Sequence, residues 1–426
     1  MLRKFFYKFI LLLGMLSKGI SIYPAVQVDE PLGGTMNDSV VASIQLDGLE
    51  YSLFKFDNNL IGHDSLYCLI TGYDDSLLKQ TVIVPGSVKI NDIEYRVSVG
   101  SEVFKDNYNI RSVIFCNGVN SIGRRAFENC RNIETISFHG VVSMIGHSSF
   151  EACSSLKSLT LECVDIMPYA FAGCTSLKTA TVKSVGISSG MFKDCISLNK
   201  IDLDSMQNYT IGNEAFMNCN SLDTVSLNGC LKILEDAFRC CGSLTNVNLG
   251  EELIQIGDRA FMECTDIKSM VIPSTVMEIG IGILRYCTNL DTIEVMNSNP
   301  VYSSNNGCNV IIKNKTKELI AGCRSTIFPL DVVAISDYAF NGHNIKSVLF
   351  SSQLRSIGKS AFEGCQYLNF LNLPDGLQFI GDSAFYACQK LDYVDIPETV
   401  LSIGDFAFDG CGNINVRFHS TTDGDY

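Results

Sequence analysis

Eighteen cysteines carry the widest choice of chemistry in this 426-residue chain. Thiols bind zinc when they form Cys-x2-Cys pairs, and in an exported chain they suggest a disulfide framework. Most of them follow another rule, because eleven lie three residues after a large apolar residue, where a small buried side chain is favoured. These eleven are Cys130, Cys153, Cys174, Cys195, Cys219, Cys241, Cys264, Cys287, Cys365, Cys388 and Cys411. The sequence therefore predicts a ladder of buried thiols, with no metal site and no cofactor.

Two cysteines outside this ladder are candidates for a disulfide. Cys308 and Cys323 are placed symmetrically about a polar segment at 314–317, which reads as a hairpin turn between two apolar runs. In that register the two side chains face each other across the strands. A disulfide there would stabilise a segment that has no core of its own.

No catalytic constellation accompanies the cysteines. None of the five histidines belongs to an H-E-x-x-H spacing, and no G-x-S-x-G elbow or Walker A loop occurs. The acidic residues are scattered over positions expected in exposed turns. The sequence predicts that the protein is not an enzyme and has no catalytic residues.

The spacing of the ladder cysteines belongs to a longer repeat, I-G-x-x-A-F-x-x-C-x-x-L-x-x-L-x-L. We call its phenylalanine the anchor; it recurs at Phe104, Phe127, Phe150, Phe171, Phe192, Phe216, Phe238, Phe261, Phe340, Phe362, Phe385 and Phe408. Leu284 takes the anchor place in one repeat, and Asn107 and His343 take the cysteine place in two others. Anchors are 21 to 24 residues apart, except across the step from Leu284 to Phe340.

A unit of this length cannot bury its own apolar face, so consecutive units must stack into a solenoid of about thirteen turns. The alternation in L-x-x-L-x-L indicates a short strand, and equivalent strands would pair as a parallel sheet along one face. We expect the I-G-x-x-A-F segment to form the opposite wall as short helical or 3-10 turns. Its recurrent glycine suggests a positive φ or a close approach between coils.

These motifs resemble the BspA-like leucine-rich repeats of secreted and surface proteins of anaerobic, Bacteroides-like bacteria and some parasitic protists. The resemblance covers roughly residues 95–418. It implies a right-handed leucine-rich-repeat solenoid behind a β-rich N-terminal cap, and it associates the chain with adhesion and contact between cells.

The N-terminus has the pattern of a secretory signal peptide. Arg3, Lys4 and Lys8 precede the apolar run Phe9–Leu16, which is too short for a membrane span. We expect four segments in all: a signal peptide at 1–25, a cap at 26–100, repeats at 101–418 with a β-hairpin excursion at 297–331, and a tail at 419–426. The protein would be exported, to the periplasm, the cell surface or the medium, with no integral membrane span.

The residues between the apolar positions of each strand should face outward in two columns. Most are small and polar, as suits an exposed sheet. Phe370 and Tyr393 are exceptions on successive strands of one column, and Asn372 and Asp395 occupy the other column on those strands. We predict that these four bind a partner, although Phe370 and Tyr393 could instead stack on each other within the sheet.

The net charge of −14 argues against sequence-independent binding of nucleic acid and against docking on anionic lipid. The sequence favours a non-catalytic binding surface for a protein or glycan. The alternative is a structural envelope component that assembles with its own kind.

Overall fold

The computed structural model describes residues 39–56, 65–90, 93–204 and 206–418. The predicted signal peptide and tail therefore lie outside the described residues. The chain divides into two compact units, Met1–Leu198 and Asn199–Tyr426. Within the described residues each unit is a β-solenoid built from strands and turns.

The N-terminal unit begins with antiparallel strands and continues with parallel coils. Its strands are β1 (Ser39–Leu46), β2 (Leu49–Phe56), β3 (Ser65–Tyr73), β4 (Thr81–Val84), β5 (Ser87–Ile90), β6 (Ile93–Val99), β7 (Ser112–Phe115), β8 (Ser121–Ile122), β9 (Thr135–Phe138), β10 (Val142–Ile145), β11 (Ser158–Ile166) and β12 (Thr179–Lys183). Strands β1, β2 and β3 pair in antiparallel order, and β3 then pairs with β6 in parallel. Tyr73 at the end of β3 stacks on the first anchor, Phe104, with ring centroids 5.3 Å apart. The antiparallel segment thus covers the first ring of the core.

Within the described residues, the C-terminal unit consists of parallel coils interrupted by one antiparallel segment at 302–322, which is the hairpin of the predicted excursion. Its strands are β13 (Lys200–Asp202), β14 (Tyr209–Ile211), β15 (Thr224–Ser226), β16 (Cys230–Ile233), β17 (Asn246–Asn248), β18 (Gln255–Ile256), β19 (Ser269–Ile272), β20 (Glu278–Ile279), β21 (Thr292–Val295), β22 (Tyr302–Ser303), β23 (Val310–Lys313), β24 (Glu318–Gly322), β25 (Ala334–Ile335), β26 (Ser347–Leu349), β27 (Ser356–Ile357), β28 (Phe370–Asn372), β29 (Phe379–Ile380), β30 (Tyr393–Ile396), β31 (Ser402–Ile403) and β32 (Asn415–Phe418).

Each coil contributes to two parallel arrays. The L-x-L segment forms the strands of what we call the primary sheet, as where β26 pairs with β28 and β30 with β32. The residues just before the recurrent glycine form a second sheet of strands two to four residues long, as where β27 pairs with β29. The predicted parallel sheet on one face is therefore confirmed, and a second sheet accompanies it.

The turn wall, which is the segment around each anchor, differs from the prediction of helical or 3-10 turns. No described residue is in a helix, and the wall consists of hydrogen-bonded turns. Arg125 and Asn129, which lie two residues before and two residues after Phe127, have positive φ values of 55° and 60°. A residue with positive φ interrupts a right-handed helix. The amides of Arg125, Phe127 and Asn129 instead donate to carbonyls of the next coil, at 2.9, 2.7 and 2.7 Å.

Close approach, rather than positive φ, explains the recurrent glycine. Gly146 does not have a positive φ. A Cβ at Gly146 would lie 2.7 Å from the backbone nitrogen of Arg124 in the preceding coil. The same contact exists at Gly257, where a Cβ would lie 2.7 Å from the nitrogen of Glu235. The glycine is required because neighbouring coils touch backbone to backbone there.

The core of each unit is a stack of anchor rings. Phe104, Phe127 and Phe150 are fully buried, with successive centroids 4.8 and 5.1 Å apart and nearly parallel planes. Phe362 and Phe385 form an equivalent pair in the C-terminal unit, 5.3 Å apart. Burying each ring contributes about 1.5–3 kcal/mol.

The prediction that the ladder cysteines are buried thiols is confirmed. All eleven are buried, and none of them forms a disulfide among the described residues. Within each unit the thiol donates to the carbonyl of the preceding anchor, as from Cys130 to Phe104 at 2.9 Å and from Cys388 to Phe362 at 3.2 Å. Burial raises the pKa of Cys130 to about 12. These side chains therefore serve as small apolar groups that also satisfy a buried carbonyl.

Candidate interaction surface

The outward face of the last four primary strands holds the predicted partner-binding residues. In β28 the side chains alternate, with Phe370 and Asn372 exposed and Leu371 buried. Strand β30 follows the same rule at Tyr393 and Val394. The two strands lie side by side, so the structure brings all four predicted residues onto one face of the primary sheet.

Phe370 and Tyr393 present apolar rings to solvent. They are 55% and 43% exposed, and no ring contact joins them among the aromatic pairs that the described residues form. They therefore do not make the stacked pair that was the alternative reading. Exposed rings of this kind are typical anchors of protein interfaces.

Two further residues enlarge this surface. Leu349, on β26, is 69% exposed, and Tyr367, three residues before Phe370, is 46% exposed. The ammonium of Lys390 lies 5.0 Å from the centroid of the Tyr367 ring. We call Leu349, Tyr367, Phe370 and Tyr393 the aromatic patch.

Sequence reasoning did not single out Leu349 or Tyr367. Leu349 stands in the same outward column as Asn372, so its size was a usable signal. Tyr367 lies in the turn that precedes the strand, where the L-x-L pattern does not define which side chains face outward.

A polar network borders the patch. Asp395 and Arg417 are register partners across β30 and β32, and the hydroxyl of Tyr393 hydrogen-bonds with Asp395 and with Arg417. The hydrogen bond to the Asp395 carboxylate raises the pKa of Tyr393 above its ordinary value. Asn372 lies next to Leu349 in register and adds an exposed amide.

The cysteine pair outside the ladder has a different register from the one that the sequence suggested. Lys313 pairs with Glu318 at the hairpin turn, but a shift between Ile311 and Ile312 places Val310 opposite Gly322. Beyond that shift Cys308 and Cys323 are not directly opposed. Both are thiols in the structure, and Cys323 donates to the carbonyl of Asp291 at 3.2 Å. A disulfide between them stays a prediction, which mass spectrometry under non-reducing conditions would reject if both thiols were free.

A groove beside the second sheet gathers acidic side chains, including Glu235, Asp258 and Glu278. Two of them have structural partners. Glu235 forms an ion pair with Arg259, and Asp258 accepts the backbone N–H of Ile281 at 2.8 Å. Among the described residues no group of three histidine, cysteine or acidic side chains is arranged to hold a metal ion.

The repeats match a known protein family along most of the chain. The model of the BspA type leucine rich repeat region, in six copies, matches residues 87–186, 185–309 and 324–422, which is more than half of the chain. The chain belongs to the BspA type leucine rich repeat family. No curated protein sequence matches it significantly.

Two solved leucine-rich-repeat structures illustrate what this chain is similar to. A leucine-rich repeat protein from Bacteroides ovatus is 25% identical, with a TM-score of 0.61 over 88% of this chain and 100% of the relative. A leucine rich cell surface protein from Faecalibacterium prausnitzii is 21% identical, with a TM-score of 0.50 over 92% of this chain and 96% of the relative. The second likeness concerns the fold alone. In the described part of this BspA-type chain, no helix has the length and apolar character needed to cross a bilayer.

Proposed function

We propose that this BspA-type protein is an exported, non-catalytic binding protein that recognises a protein partner through the primary sheet of its C-terminal unit. The observation that carries the proposal is the aromatic patch, where Leu349, Tyr367, Phe370 and Tyr393 are each at least 43% exposed. Large side chains grouped on a surface of otherwise small polar residues favour an interface.

The chemistry of the patch fits a protein more closely than a nucleic acid. Tyrosine and arginine are enriched among residues that dominate protein interfaces, and Tyr393 and Arg417 are joined through Asp395. A glycan that stacks on the rings is the other ligand consistent with this surface. The net charge of −14 opposes a polyanion.

Export and surface location rest on the N-terminal pattern and on the family. BspA-type proteins are typically secreted or exposed at the cell surface, and leucine-rich-repeat proteins of this kind are generally non-catalytic. A role in adhesion to host or neighbouring cells would place the aromatic patch where a partner can reach it.

The experiment is affinity capture from host extracellular proteins, mucins and the cell's own envelope. The wild type is compared with the double variant Phe370→Ser/Tyr393→Ser and with Ile327→Ser/Leu330→Ser. The second pair removes side chains that are 66% and 82% exposed but lie on the excursion. A partner captured by the wild type and by the excursion variant, and lost with the patch variant, supports the proposal. Equal capture by all three rejects the patch.

A second candidate function, self-assembly, is favoured by the last described coil. Leu401, Phe406 and Phe418 are 72%, 67% and 65% exposed there, and the position of Phe418 is buried in earlier coils, at Phe350 and Ile396. Light scattering on the pure protein separates the candidates, because concentration-dependent association lost in Leu401→Ser/Phe406→Ser would favour assembly.

A further inference from the structure

Four Asn-Gly pairs occur in the chain, at Asn117, Asn228, Asn306 and Asn341. Asparagine is among the thermolabile residues of proteins. An asparagine followed by glycine is the most reactive form, because the following residue has no side chain to hinder attack by its own backbone nitrogen. The four pairs differ in the hydrogen bonds and packing contacts that restrain them in the structure.

The pair at Asn341 is fixed on both sides. Asn341 is fully buried, and its side-chain nitrogen donates to Glu363 at 3.1 Å. The backbone N–H of Gly342, which would be the attacking group, donates to the carbonyl of Glu363 at 2.7 Å. Neither atom is available for reaction while the coil is folded.

The pair at Asn228 is fixed in a similar way. Its side-chain oxygen accepts a hydrogen bond from Asn248 at 3.2 Å. The N–H of Gly229 donates to the carboxylate of Glu252 at 3.2 Å, and Gly229 itself is buried.

The pair at Asn117 is held by packing. A Cβ at Gly86 would lie 1.8 Å from the carbonyl oxygen of Asn117, and one at Gly140 would lie 2.3 Å from its side-chain oxygen. The backbone at this pair is therefore wedged between neighbouring coils, although its side chain reaches solvent.

The pair at Asn306 has none of these restraints. Asn306 and Gly307 are both exposed, and nothing lies within 4 Å of the place where a Cβ of Gly307 would be. Within the described residues, neither the Asn306 side chain nor the Gly307 N–H makes a hydrogen bond. The surrounding loop already has positive φ at Asn305, Asn306 and Gly307, of 47°, 56° and 86°.

We propose that Asn306 is a site of spontaneous deamidation in the folded protein. The backbone nitrogen of Gly307 attacks the side-chain carboxamide carbon of Asn306, forming a C–N bond. The nitrogen gives up its proton, and the amide nitrogen leaves as ammonia, so that a cyclic imide closes. Water then opens the imide at either carbonyl and yields aspartate or isoaspartate.

The product adds one negative charge to the excursion. The loop is tied to the rest of the excursion through Asn305, whose side-chain nitrogen donates to Asp331 at 3.3 Å, and Asp331 pairs with Lys317 at 2.7 Å. An isoaspartate would also lengthen the backbone next to Cys308. The fraction of molecules modified at this exposed loop would therefore increase with time after synthesis.

Peptide mapping by mass spectrometry tests the proposal on the full chain. The protein is incubated in mildly alkaline buffer, once folded and once in urea, and conversion at all four asparagines is followed with time. We expect Asn306 to convert well ahead of the other three in the folded protein, and all four to convert at similar rates in urea. Folded protein in which Asn306 is unchanged, or no faster than Asn117, Asn228 or Asn341, overturns the proposal.

The variant Asn306→Gln provides a second measurement. It removes the reactive residue without altering Gly307, so the slow appearance of a more acidic species on ion exchange should stop. Persistence of that species at the wild-type rate would assign the reaction to another residue and contradict the proposal.

Discussion

The Nε2 atom of His343 lies 3.0 Å from the carbonyl oxygen of Leu284, although 59 residues separate them in the sequence. His343 takes the place of a ladder cysteine, and Leu284 takes the place of an anchor phenylalanine. Their contact is the one that the thiol of Cys365 makes with the carbonyl of Phe340, at 3.2 Å. The two departures from the repeat are thus a matched pair that closes the solenoid behind the excursion.

The burial of His343 predicts a pH dependence of stability. A carbonyl can only accept, so the Nε2 nitrogen carries the proton, and burial lowers the pKa of His343 from 6.5 to about 4. The folded state therefore favours the neutral ring. Its contribution to stability is complete above pH 6.5 and is lost as the pH falls toward 4, by about 3 kcal/mol in full.

Urea unfolding of the wild type and of His343→Asn across that window measures the effect. Asparagine keeps a donor for the Leu284 carbonyl but does not titrate. The variant should lose less stability than the wild type between pH 6.5 and 4, and identical slopes would contradict the assignment.

The stack of anchor rings predicts unequal costs of truncation. Phe385 is fully buried with a ring on each side, at 5.3 and 5.2 Å, whereas Phe408 is half-buried and, among the described residues, stacks on Phe385 alone. Phe385→Ala should destabilise the protein by about 3–5 kcal/mol, and Phe408→Ala by less than half of that. Chemical denaturation followed by circular dichroism compares the two, and equal losses would argue against a stack that ends at Phe408.

Backbone contact between coils predicts that replacing Gly257 destabilises the protein. A Cβ there would lie 2.7 Å from backbone atoms of Leu234 and Glu235, whereas a Cβ at Gly242 would meet only the Thr265 hydroxyl, at 3.7 Å. Gly257→Ala should cost about 1–3 kcal/mol, while Gly242→Ala should change stability by about 0.5 kcal/mol or less. The thermal midpoints of the two variants test this, and a tolerated Gly257→Ala would show that the coils can separate.

Burial of the ladder predicts slow thiol chemistry. Cys130 and its equivalents should react with an alkylating reagent only after unfolding, since burial both shields the sulfur and raises its pKa. Cys116, Cys240 and Cys308 are half-buried and should be labelled first. Labelling of ladder thiols in native protein at the rate of these three would be incompatible with the stacked coils.

Much of this fold could be predicted from the repeat in the sequence. Anchors, ladder cysteines and the alternation at Phe370 and Tyr393 are local signals with a fixed step, so a single chain reveals them. The conformation of the turn wall could not be predicted from the sequence, because the positive φ at Arg125 and Asn129 is stabilised by hydrogen bonds to the next coil rather than by local propensity. The sequence-based expectation of helical turns failed for that reason.

The candidate site could be predicted in part from the sequence. The L-x-L pattern identified Phe370 and Tyr393. The exposure of Tyr367 depends on the conformation of the turn before β28, which the pattern does not specify. The register shift between Ile311 and Ile312 was equally hidden, because nothing in the composition of two apolar runs specifies a bulge.

The affinity of the captured partner for three forms of the protein tests the central claim most directly. Phe370→Ser/Tyr393→Ser should weaken binding by at least about tenfold, as expected when two exposed ring anchors are removed. Ile327→Ser/Leu330→Ser should bind like the wild type, and all three should unfold at the same denaturant concentration. Equal affinity of the patch variant and the wild type would show that the primary sheet face of the C-terminal unit is not the binding surface.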